Sequence, residues 1–479
     1  MKLPLLGGSG EDRSSDVSQQ LTQNLYVHKT QTGKSKTVLY STPAITLFTE
    51  VGLGPIRGAI EYNDIYFVVS NNELYEVNSV GTGVLRGTLN SSLGHVSMAH
   101  NGPDNGQQIA IADGTDFYIW DSSASDFKII TDSGDPDYDA DCPTPTQVLF
   151  FDGLFVVNNP AVTGTFNVSG SYDGTAWDAT EFATAERDPD SLKALTVSNR
   201  KLILAGRDTA EIWFNSGALD FPYEPMQSGF SEWGIAAPFS LVEVSGITFW
   251  LSNNKEGNGM IIMMTGGNPQ VISTPEIATE ISKISDISDC YSYSYQYQQH
   301  AFVVFTFVSG KKTLVYDILT QEWHTWKTES TGYHRSTGHT FVFNKHLVGD
   351  PINGNIYKLD WDSNTDNGES IKRIRRSQNI HGDDRPIKHH GVWIDIQEGV
   401  GDATTPNPQI LLRWRDDNGS WSNYHARSMG KIGEKNKKCI WRALGRSSDR
   451  VYEISVTDPV SLVIVDGYAN VEGDERTKE

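Results

Sequence analysis

One degenerate theme constrains this sequence more than any other feature. Every 30 to 55 residues an apolar hairpin arm, a tight turn and a strand ending near Tyr or Trp recur. The theme runs through AIEYNDIYFVVSNNELYEVN (59–78), QQIAIADGTDFYIWD (107–121), QVLFFDGLFVVNNP (147–160) and RKLILAGRDTAEIWFN (200–215). It continues in GITFWLSNNKEGNGMIIMM (246–264), HAFVVFTFVSGKKTLVYDILTQEWHTW (300–326) and FNKHLVGDPINGNIYKLD (343–360). Such a unit is too small to bury a core alone and must pack on its neighbours. A radial array of small antiparallel sheets, a β-propeller, does this while protecting the sheet edges. An array of β-sandwiches accommodates the same hairpins but has no reason for the period. Locally, Asp113-Gly114 and Asn353-Gly354 are expected to form two-residue hairpin turns. Asp317 and Thr320 can close a further turn ahead of Trp323 and Trp326. Helical periodicity is confined to 274–288, where Ile277, Ile281 and Ile284 recur at helical steps.

A chain of 479 residues exceeds one ordinary core. Past residue 361 the texture becomes polar and charged, and then a second set of alternating strands begins. The expected organisation is an N-terminal arm (1–39), a β-propeller-like domain (40–361), a polar linker or arm (362–390) and a C-terminal β domain with a frayed tail (391–479). The fold class is therefore all-β: a propeller-like body of antiparallel blades with a second, smaller C-terminal β domain. Charge divides along the same line. The net charge is −21, yet residues 371–450 hold 16 Lys+Arg against 9 Asp+Glu, while the rest holds 23 against 51. So acidic a chain is unsuited to coating DNA, and the asymmetry points to two domains with different partners. Cys142, Cys290 and Cys439 are widely spaced and form no CxxC, which implies a reducing cytoplasm at synthesis and no disulfide framework. No apolar run is long enough for a membrane span, and the apolar patch in MKLPLLGGSGEDRSS is too short for a signal peptide.

Several clusters invite chemistry and then fail its spacing rules. His389-His390 and the group His334, His339 and His346 lack any zinc-site spacing, and adjacent histidines on a strand face opposite ways. The acidic run 132–143 alternates Asp132, Asp135, Asp137, Asp139 and Asp141 but lacks the glycine and closing Glu of a calcium loop. SYDGTAW (171–177) and RDDNGSW (415–421) resemble Asp-box turns, whose role is structural, and no carboxylate pair for glycoside hydrolysis is identifiable. There is no GxSxG, Walker A or dinucleotide fingerprint in context. Tyr291, Tyr293, Tyr295 and Tyr297 share one strand face, read as a buried sheet face or subunit interface rather than a base- or sugar-stacking ladder. No catalytic, cofactor-binding or metal-binding residue is assigned, and the chain is read as non-enzymatic. The candidate interface is the basic C-terminal set Arg373, Arg375, Arg376, Arg413, Arg415, Trp441, Arg442 and Arg446, read as meeting an acidic protein surface, such as a neighbouring copy, in preference to DNA.

Three stretches resemble the packaged-DNA stabilisation proteins of short-tailed bacteriophages, which form the tail hub or nozzle. They are YSTPAITLFTEVGLGPIRGAIEYNDIYFVVSNNELYEV (40–77), GHVSMAHNG (94–102) and LRWRDDNGSWSNYHARSMGKIGEKNKKCIWRALGRSSDRVYEISVTDPVSLVI (412–464). The last, with its DDNG turn, SMGKIG, WRALGR and VTDPV in order, is the most specific. Ala44 departs from the family, which often has Gly after Thr-Pro. The resemblance implies a structural virion protein, made in the host cytoplasm and carried in the tail. It implies a homo-oligomeric ring, typically hexameric, below the portal and the head-to-tail adaptor, which seals the packaged genome and passes DNA at ejection without sequence-specific binding. Tailspikes or fibres and a tail-tip needle are further implied partners; no cofactor and no stable membrane insertion are. An acidic lumen would let DNA slide without sticking. The alternative is a propeller-type glycan-binding or glycan-cleaving tail protein.

Overall fold

The repeat is closed by two-residue turns in which both residues adopt the left-handed conformation. Asn63-Asp64, Asp152-Gly153, Asn199-Arg200, Ser245-Gly246, Gln298-Gln299 and Phe343-Asn344 all have positive φ. They join pairs such as Tyr62↔Ile65, Ser198↔Lys201 and Val342↔Lys345. Turns of this hand match the right-handed twist of the strands they connect. The same local solution is therefore used six times.

The computed structural model describes residues 1–473 apart from 15, 186, 189, 219, 254–258 and 383–384. The tail expected to fray falls, over 474–479, outside the described residues. Among those described, seven four-stranded antiparallel blades form a ring. Their innermost strands are Ile56–Tyr62, Ser97–His100, Val148–Phe151, Leu192–Ser198, Val242–Val244, Tyr291–Tyr297 and Thr337–Val342. Each touches the next, and the seventh touches the first. Blade 7 is completed from the other end of the domain. Its outermost strand is Ala44–Glu50, paired antiparallel from Asp360↔Ala44 to Asn355↔Glu50.

A β-sandwich follows. One sheet has the order Leu25–Lys29, Thr37–Ser41, Val463–Gly473, Ile387–Ile396, Cys439–Arg442. The other runs Gln19–Gln23, Arg373–Arg376, Asp449–Val456, Gln409–Asp416, His425–Ser428. Between them lies a core that includes Leu3, Leu5, Leu25, Val27, Leu412, Trp441, Tyr452, Ile454 and Ile464. The second sheet is continuous with blade 6, because Gln19–Gln23 lies parallel to Glu322–Trp326 through Gln23↔Thr325. Asn24 fixes this seam. Its backbone N–H donates to the Thr325 carbonyl (2.8 Å), and its side-chain amide donates to the carbonyls of Lys327 (2.9 Å) and Lys372 (3.0 Å).

Several expectations meet a different structure. The N-terminal segment read as an arm supplies three strands to the sandwich, and the segment 362–390 read as a linker holds strand Arg373–Arg376 and the start of Ile387–Ile396. Their polar composition hides the assignment because Arg373 and Arg375 are buried and bonded to distant parts of the chain. Asp113-Gly114 sits in a four-residue loop between Ala112 and Phe117, where the Asp113 carboxylate accepts the N–H groups of Thr115 and Asp116 (2.8 Å each). Asn353-Gly354 likewise belongs to a longer loop, between Gly349 and Ile356. The helix forms over Pro275–Ser282, capped by Thr274, and ends short of Asp286, whose carboxylate binds the Ser288 N–H instead. The tyrosines of Tyr291–Tyr297 form the innermost strand of blade 6, with Tyr291, Tyr293 and Tyr295 buried and Tyr297 stacked on Trp361 at 3.9 Å. All three cysteines are free and buried.

Candidate interaction surface

Strand alternation sorts the basic residues of the sandwich into an inner and an outer set. On the inner side Arg375 is 1% exposed. It donates to the carbonyls of Leu5 and Gly8 (2.8 Å for Gly8), to the Thr22 hydroxyl (2.6 Å) and to the Gln20 side chain (3.1 Å). Burial pushes its pKa down to about 9. Arg373, equally buried, donates to Asn364 Oδ1 (3.2 Å) and the Asp458 carbonyl (3.3 Å), and burial pushes it down to about 10. Trp441 lies in the core with its indole N–H on the His425 carbonyl (2.8 Å).

On the outer face Arg376, Glu453 and Arg413 stand side by side across three strands. Glu453, fully buried, accepts from Arg376 (2.6 Å), Arg413 (2.7 Å) and the Tyr424 hydroxyl (2.9 Å). The Trp421 ring, brought back by the 416–419 turn, covers both guanidiniums. Arg415 is spent on Gln19 and on the carbonyls of Asn418 and Gly419. Of the eight candidate residues, only Arg442 and Arg446 are exposed. They belong to a wider basic edge with Arg427, Lys431, Lys435 and Lys438, also exposed. The signal was present in the density of bases in SMGKIGEKNKKCIWR, but spacing alone does not separate an exposed lysine from a buried arginine.

Asp366 holds the passage from propeller to sandwich. Its carboxylate accepts the Ile45 N–H (3.1 Å) and the Thr328 hydroxyl (3.4 Å). Burial raises its pKa to about 7, against those bonds and the nearby Arg373 charge. Between roughly pH 4, the unfolded value, and pH 7 the folded state therefore keeps a proton that the unfolded chain has released. This contribution is complete below pH 4 and is lost as pH rises through 7. The expected outcome is a melting temperature that declines across this window, with a shallower decline in Asp366→Asn, measured by scanning calorimetry at several pH values.

Near the start of the inner strands of blades 1, 5, 6 and 7 lies a cavity of about 370 Å³, lined by Arg57, His95, Phe239, Tyr291, Tyr293 and His339 among others. Among the described residues no carboxylate lines it. The Arg57 guanidinium is occupied by the carbonyls of Asn71, Ser91, Leu93 and Gly94 and by the Ser91 hydroxyl, all within 2.7–2.9 Å. Tyr291 and Tyr293 bond to Ser336. Burial brings His95 down to about 4 and His339 to about 3, so both are neutral at physiological pH. Arg57, Tyr291 and Tyr293 are thus committed to the fold.

The other clusters are also internally satisfied. His339 and His346 bond directly to each other through ring nitrogens 2.9 Å apart, and His334 bonds to Ser336. His389 is buried against Tyr452 and Ser447, while the adjacent His390 turns outward to Glu472. Among the described residues no group of three or more His, Cys, Asp or Glu could hold a metal ion. In the 132–143 loop the carboxylates of Asp132, Asp135 and Asp139 accept backbone N–H groups, including that of Trp177. The two Asp-box-like turns place Trp177 in the core between blades 2 and 3 and Trp421 over arginine.

This arrangement of a propeller followed by a sandwich matches known sequence families along nearly its whole length. The family described as "Bacteriophage P22 Gp10, beta-propeller" matches residues 1–364, and "Bacteriophage P22 Gp10, beta-sandwich" matches residues 374–472. The chain belongs to the bacteriophage P22 Gp10 family. Its role is accordingly structural, in the phage tail and in the stabilisation of packaged DNA. The Gp10 propeller match includes the N-terminal strands that the structure places in the sandwich. No curated protein matches the sequence significantly. Similar solved structures include the N-terminal domain of Nup159 (11% identity, TM-score 0.41, covering 71% of this chain and 99% of that one). They also include the extracellular domain of the putative hybrid two-component system BT4673 from B. thetaiotaomicron (9%, 0.45, 92% and 62%). A third is PorZ from Porphyromonas gingivalis (10%, 0.38, 79% and 46%). No helix among the described residues is long and apolar enough to cross a membrane.

Proposed function

We propose that this chain is the tail hub, or nozzle, of a short-tailed phage. Copies form a ring, six in number, beneath the portal and its head-to-tail adaptor, where they seal the packaged genome and pass it at ejection. The observation that carries this reading is the match of both domains, in order, to the Gp10 family. The seam at Asn24 supports it as well, since a sheet running unbroken from blade 6 into the sandwich suits a part that bears load. Assembly takes place in the host cytoplasm, and tailspikes or fibres and a tail needle dock on the ring. DNA passes without sequence-specific contacts, and the net charge of −21 suits a conduit that does not retain phosphate. The glycan-cleaving alternative gains no support from the inner-strand cavity, where no described residue supplies a carboxylate.

The test is cryo-microscopy of particles assembled without this chain. Empty or leaking heads, restored to full by the chain supplied in trans, are expected. Heads that keep their DNA in its absence would remove the sealing role.

A further inference from the structure

The two ends of the molecule carry opposite charge. Residues 87–186, which span blades 2 and 3, hold 15 Asp+Glu and a single base, Lys128. Lys128 pairs with Asp137 and Arg200, from blade 4, pairs with Asp152, each at 3.1 Å, against thirteen further acids in the segment. Backbone N–H groups orient several of these carboxylates but do not neutralise them. In a ring of seven, blades 2 and 3 are the two farthest from blade 6, where the sandwich is attached.

At the other extreme, His425–Ser428 and Cys439–Arg442 are the last strands of the two sandwich sheets. The first lies five strands beyond blade 6, about 24 Å at the usual strand spacing. The segment 427–442 linking them carries six bases, Arg427, Lys431, Lys435, Lys437, Lys438 and Arg442, against one acid, Glu434. In its middle Ile432 is 73% exposed, an apolar side chain ringed by cations. Open sheet edges invite pairing, and lysines there select which partner approaches.

We infer that the basic edge of one sandwich docks on the acidic blades 2 and 3 of the next copy. This rests on the ring reading above and specifies its contact. Joining like patches about a two-fold axis would set six bases against six, or acid against acid. Head-to-tail joining pairs opposite charges and leaves each copy with one used edge and one used rim, the heterologous geometry from which rings are built. Ile432 supplies the desolvated centre of the contact and the lysines its rim.

The test uses the full chain and two surface variants. K431E/K435E/K438E reverses the edge; D126K/D141K/D178K reverses exposed acids of blades 2 and 3. Association is followed by sedimentation and native mass spectrometry at about 0.05 M and about 0.5 M salt. The wild type should associate, more strongly at low salt, and each variant alone should do so at least about tenfold more weakly. An equimolar mixture should recover, because natural edge meets natural rim and reversed edge meets reversed rim. The contact is wrong if either variant associates like the wild type, if mixing restores nothing, or if the wild type stays monomeric throughout. It is also wrong if the edge variant loses affinity for short duplex DNA while its association is unchanged, which would assign the edge to phosphate. A wild-type ring indifferent to both reversals would sink this contact and leave the hub reading standing. That reading falls instead on heads that stay filled without the chain.

Discussion

A chain lacking residues 1–29 is expected to retain its propeller and lose its sandwich. The deletion removes strands Gln19–Gln23 and Leu25–Lys29, and with them the core residues Leu3, Leu5, Leu25 and Val27. Truncating one such side chain costs about 2–5 kcal/mol, so losing four exceeds much of the 5–15 kcal/mol that holds a typical domain. Arg375 would also lose all four of its hydrogen-bond partners, Leu5, Gly8, Gln20 and Thr22. Blade 7 should still close, since Ala44–Glu50 is retained. Limited proteolysis should yield a resistant fragment of roughly residues 44–360 and digest the remainder. A sandwich that survives the protease would show that its C-terminal strands are self-sufficient.

Glu453→Ala is the point substitution with the largest expected effect. It leaves Arg376 and Arg413 without the shared carboxylate and deprives Tyr424 of an acceptor. Removing one partner of a buried ion pair costs about 3–5 kcal/mol. The two guanidiniums are each about a fifth exposed, so the lower part of that range is expected. Urea unfolding at neutral pH should show the loss as a lower midpoint with an unchanged slope. The pH dependence has a definite sign. Burial alone would raise the Glu453 pKa, but the bonds from Arg413 and Arg376 outweigh it and hold the value below the ordinary one. Its contribution is therefore present above about pH 4.3, the unfolded value, and is lost as pH falls through the depressed one. The variant should lack that acid-side step.

The sequence exposed the repeating hairpins, and Asp317 and Thr320 do close the turn ahead of Trp323 and Trp326 (2.6 Å), both of which are buried. The two-residue turns it placed at Asp113-Gly114 and Asn353-Gly354 are longer loops. The α-helix was visible through its isoleucine spacing, although it ends at Ser282, capped by Lys283, before the last isoleucine of the pattern. What stayed hidden depended on distant partners. Nothing near Arg373 or Arg375 indicates that carbonyls of Leu5, Gly8 and Asp458 will enclose them. A run such as KRIRR therefore reads as surface although its alternate members lie inside. The strands at 19–29 escaped for the same reason, since Leu25 and Val27 acquire a core only from the far end of the chain. Of the candidate interface, Arg442 and Arg446 remained outward, and the exposed lysines around them are the part that spacing could not weigh.

Both folding units are closed by early segments waiting for late ones. Residues 19–41 need partners from 373 onward, and Ala44–Glu50 needs Asn355–Asp360. At 5–20 residues per second the ribosome takes about 20–70 s to deliver them. During that interval Leu25–Lys29 can pair with Thr37–Ser41, but Gln19–Gln23 and Ala44–Glu50 lack the late strands that complete their sheets. A translation product that stops early can complete neither the ring of blades nor the sandwich. It therefore cannot present the distal edge that lies beyond residue 425. Chain closure thus acts as a test of completeness: only a finished polypeptide becomes a part that the growing virion can use.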